Sequence, residues 1–103
     1  MVRRVIWPPA AQKQLVKTYE HNLTRSYQSA KKLMKGIFVS TRSLASNPEM
    51  HPPDKYRKNN DGSFRAYELH HYRIVYRVTN KGIIILQCGI WNPGNIELPG
   101  FSG

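Results

Sequence analysis

The chain has 103 residues, which is enough for one domain with one hydrophobic core. It carries 16 Lys+Arg against 6 Asp+Glu, a formal charge of +10, and fold requirements do not ask for such a surplus. It points to a polyanionic partner: nucleic acid, an acidic membrane or an acidic protein. A lone cysteine, Cys88, excludes an internal disulfide framework and a cysteine-type zinc site, and it suits a reducing cytosol.

The basic start Met1-Val2-Arg3-Arg4 is followed only by Val5-Ile6-Trp7 before Pro8-Pro9. That run is too short for a signal sequence, and no stretch approaches the roughly 20 apolar residues that span a bilayer. A cytoplasmic protein without membrane contact is the expectation. Arg4-Val5-Ile6-Trp7 reads as a short strand, and Pro8-Pro9 as a helix entry. A helix follows from Ala10 to about Asn22, with Ala11, Leu15 and Tyr19 on one face and Val16 beside them. Thr24 or Ser26 is the expected N-cap of the next helix.

That second helix shows the clearest periodicity in the chain, through Tyr27, Ala30, Leu33, Met34, Ile37, Phe38, Thr41, Leu44 and Ala45. Ser46-Asn47-Pro48 ends it. Residues 46–63 form a polar segment, long for a structureless connection and therefore expected to be functional or locally ordered. Three strands follow: Phe64 to Leu69, Tyr72 to Val78, and Ile83 to Cys88 with an extension toward Trp91. His70-His71 and Asn80-Lys81-Gly82 occupy the hairpin turns. The tail, with Pro93, Gly94, Pro99 and Gly100, is expected to be irregular from about residue 92.

The fold class is therefore α+β, a single domain over residues 1–103. An N-terminal strand and an antiparallel α-hairpin pack on a mainly antiparallel, twisted sheet, one face of which stays open. Ile6, Leu15, Leu33, Ile37, Phe38, Leu44, Ile74, Tyr76, Ile85 and Cys88 are the expected core.

Alternation puts Arg73 and Arg77 on one face of the middle strand, opposite Ile74 and Tyr76, and Arg65 with Tyr67 on one face of the strand before it. Pairing through His70-His71 is expected to bring all four together, rimmed by Lys55, Arg57 and Lys58 around Tyr56. Guanidiniums and tyrosine rings on a sheet surface suit phosphate contacts and base stacking. The plainer reading is that these arginines solvate an open face and pair with Glu68 or Asp61. As an open-face side chain, Arg73 is expected to contribute little to folding.

The sequence offers no paired carboxylates, no P-loop, no GxGxxG and no GxSxG, so no metal or cofactor is expected. His70 and His71 are adjacent, and in a strand they would point to opposite faces; they read as turn residues exposed to water. Cys88 reads as a buried hydrophobe.

The order of elements, the opening Val5-Ile6-Trp7-Pro8 with Ala11 and Leu15, and Leu44-Ala45-Ser46-Asn47-Pro48 resemble the RelE/ParE superfamily of bacterial toxins. The strongest match is Phe64-Arg65-Ala66-Tyr67-Glu68 with Tyr72-Arg73-Ile74-Val75-Tyr76-Arg77-Val78, and the likeness runs over roughly residues 4–90. It implies a RelE-like fold and a type II toxin held inactive by a co-encoded antitoxin, an acidic or amphipathic segment that folds on binding. RelE-like members cut mRNA on the ribosome without a metal. ParE-like members share the fold, lack the ribonuclease residues and poison DNA gyrase.

On that resemblance Arg73 matches the sheet arginine used on the scissile phosphate, and Arg65 stands at a lysine position of the basic cluster. Tyr67 departs from a second lysine position, Ile90-Trp91-Asn92-Pro93 lacks the arginine that often follows the last strand, and the C-terminal aromatic is Phe101, without a hydroxyl. Three functions stay open. One is a ribosome-dependent endoribonuclease, with Arg65 and Arg73 catalytic and Lys55, Tyr56, Lys58, Tyr67 or His70 moving protons. The second is a non-enzymatic gyrase inhibitor, and the third is a basic nucleic-acid-binding module without toxicity.

Overall fold

The computed structural model describes residues 3–90, so the expected irregular tail lies outside the described residues. In chain order the elements are β1 (Val5–Ile6), α1 (Pro9–Leu23), α2 (Tyr27–Ser43), β2 (Phe64–Leu69), β3 (Tyr72–Thr79) and β4 (Gly82–Ile90). The sheet order is β1-β4-β3-β2. β2, β3 and β4 form an antiparallel meander, and β1 joins it parallel to β4 through Val5–Ile83 and Ile6–Ile84. This is the α+β architecture that the sequence predicts.

Local chemistry sets the helix ends. Pro8 caps α1 in extended conformation and Pro9 opens the helix, where its missing N–H costs nothing. Ser26, one of the two expected caps, accepts a hydrogen bond from Ser29 N at 3.1 Å and starts α2. Thr24 instead closes α1, donating to His21 O.

The core lies between the hairpin and one sheet face. Leu33, Ile37, Leu44, Ile74, Tyr76, Ile85 and Cys88 are buried as expected. Ile85 and Cys88 share that face although they are an odd three positions apart, because a β-bulge opposite Val75/Tyr76 takes up one residue. Ile6 and Leu15 are only half-buried, and Phe38 is 51% exposed. The sheet accepts a narrow stripe of α2, made of Ala30, Leu33, Ile37 and Thr41. One residue on from Ile37, about 100° around the helix, Phe38 turns aside and meets Trp7 at 6.4 Å between ring centres.

α1 packs through small and polar residues, Ala11, Thr18 and Asn22. Its side chains finish the edge of β4 beyond the short β1. Cys88 N donates to Gln14 Oε1 at 2.7 Å, and Thr18 Oγ1 donates to Cys88 O at 3.4 Å.

The 46–63 segment is ordered on the outer edge of β2. Asp54 N donates to Phe64 O at 2.8 Å and Ala66 N to Pro52 O at 3.3 Å, with Pro53 bridged to Arg65. It thereby covers the edge of the sheet. The β2–β3 turn has His70 at φ 49° and His71 at φ 70°, between the paired Leu69 and Tyr72. Two positive φ angles mark the turn type that suits a two-residue hairpin and that Asn-Gly adopts most easily. Histidine pays roughly 1–2 kcal/mol per residue there.

At the β3–β4 turn, Gly82 has φ 148°, and a Cβ on it would sit 2.6 Å from the Arg4 carbonyl oxygen. Only glycine lets β1 approach this closely. Gly82→Ala should therefore cost about 1–3 kcal/mol, read as a lowered melting temperature with the native circular dichroism retained.

Candidate functional site

The two-residue turn dictates which arginines share a face. With Leu69 opposite Tyr72, Arg65 falls opposite Tyr76, Tyr67 opposite Ile74, Glu68 opposite Arg73 and Phe64 opposite Arg77. Directly paired residues lie on the same side of a sheet. The expected four-residue cluster is thus divided: Arg65 and Tyr67 lie on the helix face, whereas Arg73 and Arg77 lie on the outer face.

On the helix face Arg65 is held in place. Its Nη1 donates to His51 O at 2.6 Å, and Nη2 lies 3.7 Å from Glu49. Its Nε is buried without a hydrogen-bond partner among the described residues. The His51 ring stacks on Tyr67 with centroids 4.0 Å apart, and burial lowers the His51 pKa from 6.5. The Tyr67 hydroxyl pairs with Ser40 Oγ at 2.8 Å, and burial pushes its pKa up to about 12. Tyr76 donates to Pro48 O at 2.8 Å, and burial raises its pKa as well. These phenols hold their protons at neutral pH and anchor the start of the loop. Burial likewise raises the Cys88 thiol to about 11, as suits a buried hydrophobe.

The outer face is not open. Arg73 is only 8% exposed, contrary to the expectation of a solvated side chain, because the loop folds over it. Asp54 is 4% exposed, and its Oδ1 accepts from Arg73 Nη2 at 2.7 Å and from Tyr56 N at 3.0 Å. The Tyr56 ring lies 4.9 Å from the Arg73 guanidinium and 5.2 Å from Lys55 Nζ. Neither Glu68 nor Asp61 is the carboxylate paired with Arg73; Asp54 is.

Beside this pair, Phe64 gathers two more cations. The Arg57 guanidinium lies 3.8 Å from its ring centre and that of Arg77 lies 4.5 Å away. Both distances are within cation–π range. Arg77 is exposed and Arg57 half-buried, with Arg57 Nε lacking a hydrogen-bond partner among the described residues. Hydrogen bonds from Ser63, with the Arg77 charge as a smaller cause, hold the Asp61 pKa below its usual value. Lys55 and Lys58 are exposed on the same loop. The accessible basic surface on this outer face is therefore Lys55, Arg57, Lys58 and Arg77, with Arg73 beneath the loop. Sequence reasoning missed Phe64 and Asp54; the signal for Asp54 was a carboxylate directly preceding the Lys55, Arg57 and Lys58 cluster.

Among the described residues no three His, Cys, Asp or Glu side chains gather to hold a metal ion. No described helix is long and apolar enough to cross a membrane.

The family model described as "ParE toxin of type II toxin-antitoxin system, parDE" matches residues 5–89. The chain belongs to this ParE family. Eleven chains of solved structures match it. One, from "Chromosomal ParDE TA system from P. aeruginosa", superposes with a TM-score of 0.70 at 19% identity. That match covers 88% of this chain and 98% of the other, and it bears out the RelE/ParE fold. No curated protein sequence matches the chain. In this ParE chain the helix hairpin, the outer-face cations and the meander except its last residue, Ile90, fall within the matched residues.

Removing Arg73 would leave the Asp54 carboxylate buried without its guanidinium. Arg73→Met should cost about 3–5 kcal/mol in guanidinium denaturation, and adding Asp54→Asn should recover part of that loss, because the neutral amide keeps the acceptor for Tyr56 N. A full loss in the double variant, or none in the single, would show that the pair does not hold the loop.

His51 supplies a pH dependence. Its folded pKa lies below the unfolded 6.5, so the unfolded chain binds the proton more tightly. The stability that it contributes is complete above pH 6.5 and declines as pH falls through that value toward the folded pKa. Melting temperature should drop between pH 7.5 and 5.5, and His51→Phe, which keeps the ring stack on Tyr67, should flatten that slope.

Proposed function

We propose that this chain is the toxin of a parDE-type pair and arrests growth by binding DNA gyrase with its outer basic face, not by cutting mRNA. The observation that carries the reading is the Arg73–Asp54 ion pair, 2.7 Å long and buried. A guanidinium that must stabilise a pentavalent phosphate has to present its charge to the substrate. Here that charge is already matched by a carboxylate and roofed by Tyr56. One of the candidate proton-transfer groups, Tyr67, supports the same reading. Metal-free cleavage needs a group that takes the 2′-hydroxyl proton near neutral pH, whereas Tyr67 lies on the helix face with its pKa raised to about 12.

Lys55, Arg57, Lys58 and Arg77 then act as a recognition surface. Arg57 and Arg77 are oriented by Phe64 before the target arrives, which reduces the ordering cost of binding. The partner at rest is a co-encoded antitoxin. An acidic, amphipathic segment fits a chain of charge +10 that also exposes Val16, Tyr27, Phe38 and Val39 on its helices. The site of action is the cytoplasm.

On induction in growing bacteria, the DNA damage response should precede any fall in translation, and the purified chain should inhibit gyrase supercoiling. Arg57→Gln with Arg77→Gln should weaken both effects at least about tenfold at matched soluble expression. Translation arrest first, with mRNA cut on purified ribosomes, would overturn the reading in favour of the nuclease. Binding to nucleic acid without any growth defect would overturn it in favour of a non-toxic basic module.

A further inference from the structure

On the helix side of the sheet, at the β2–β3 turn, lies a cleft of about 500 Å³ that the outer face does not share. Three separate elements deliver its nitrogen donors: Arg25 from the α1–α2 connection, Lys32 from α2, and His70 and His71 from the turn. No acidic side chain lines it. None of these four side chains has a hydrogen-bond or salt-bridge partner among the described residues. Two cations and two imidazoles around one concavity, without a counterion, form a region of positive potential that attracts an anion.

The cleft also has a fixed wall. Tyr72 lines it, is only 6% exposed, and its hydroxyl oxygen takes a hydrogen bond from Asn22 Nδ2. A phenol that accepts from an amide keeps its own proton to donate. The turn adds an independent sign. Both histidines are held at positive φ, 49° and 70°, where Asn-Gly would be relaxed. Imidazoles kept in a strained backbone, at the mouth of a basic cleft, are the kind of outlier found at ligand sites.

We infer that this cleft binds a phosphate group, with Arg25 and Lys32 supplying charge and His70, His71 and Tyr72 supplying hydrogen bonds. The ligand is a free phosphate monoester or the phosphodiester of a nucleic-acid strand; both present anionic non-bridging phosphate oxygens. The inference goes beyond the gyrase reading and stands whether or not gyrase is the target. Strand geometry puts the cleft on the order of 20 Å from the Arg57–Phe64–Arg77 group.

The test follows the resonances of the full-length chain by NMR at constant ionic strength, titrated with inorganic phosphate or with a twelve-nucleotide DNA strand. Phosphate should shift the signals of Arg25, Lys32, His70 and His71 saturably. Arg25→Gln and Lys32→Gln should each weaken binding at least about tenfold. His70→Asn with His71→Gly installs the turn's preferred residues, so that variant should melt at a higher temperature than the native chain yet bind phosphate less well. Lys13→Gln, an equal loss of charge on the exposed side of α1, should bind as the native chain does. If the DNA strand shifts the same signals and phosphate competes with it, the source is a polynucleotide; if phosphate alone does so, the source is a monoester. Both outcomes support the site. Unmoved cleft signals with either probe, native-like phosphate affinity in the His70→Asn/His71→Gly variant, or an equal loss in Lys13→Gln would overturn it.

Discussion

A turn of two residues fixes a parity. Leu69 and Tyr72 close the β2–β3 hairpin, so each odd-numbered residue of β2 meets an even-numbered residue of β3. A slip of one residue would send Tyr67 and Ile74 to opposite sides and empty the core under α2. The same parity sends Arg65 inward, where it is held by the His51 carbonyl, and Arg73 outward, where it meets Asp54. The basic residues of the two strands therefore serve two separate purposes, set by the two-residue length of the His70-His71 turn.

Once Arg73 faces outward, the long loop has something to fold onto. Backbone bonds from Pro52 and Asp54 attach it to the edge of β2, and the buried ion pair fastens it over β3. Desolvating two charges is expensive, and a buried pair adds little net stability over apolar residues of the same shape. Its value lies in fixing one position for the loop. With the loop there, Tyr56 and Phe64 become platforms and Arg57 and Arg77 are aimed together. Arg73 acts as a fastener, and the charge available to a partner lies at the rim of the sheet on Arg57 and Arg77.

The helix hairpin meets the sheet with unequal halves. α2 contributes an aliphatic stripe, while α1 contributes Gln14, Thr18 and Asn22, which satisfy the backbone of β4 and the hydroxyl of Tyr72. A strand of only two residues cannot cover the whole edge of β4, and α1 completes the task with side chains. Polar packing of this kind leaves Val16 of α1 outside the core, and the narrow stripe that the sheet accepts from α2 leaves Phe38 outside it, although simple helical periodicity assigns Phe38 to it.

By itself the sequence determined the element order, the helix entry at Pro8-Pro9, the choice of Thr24 or Ser26 as the cap of α2, the two tight turns, most of the expected core and the superfamily. These depend on local rules of spacing, φ preference and capping, which act within a few residues. It also carried the parity of the hairpin, since 69 opposite 72 forces 65 opposite 76, but alternation taken strand by strand does not show it. Tertiary structure alone decided that Asp54 pairs with Arg73 across 19 residues of sequence, that Phe64 collects Arg57 and Arg77, and that Phe38 stays half in water. Each of those outcomes depends on the path of the 46–63 loop or on the width of the groove that receives α2. Those are long-range quantities that no local pattern encodes.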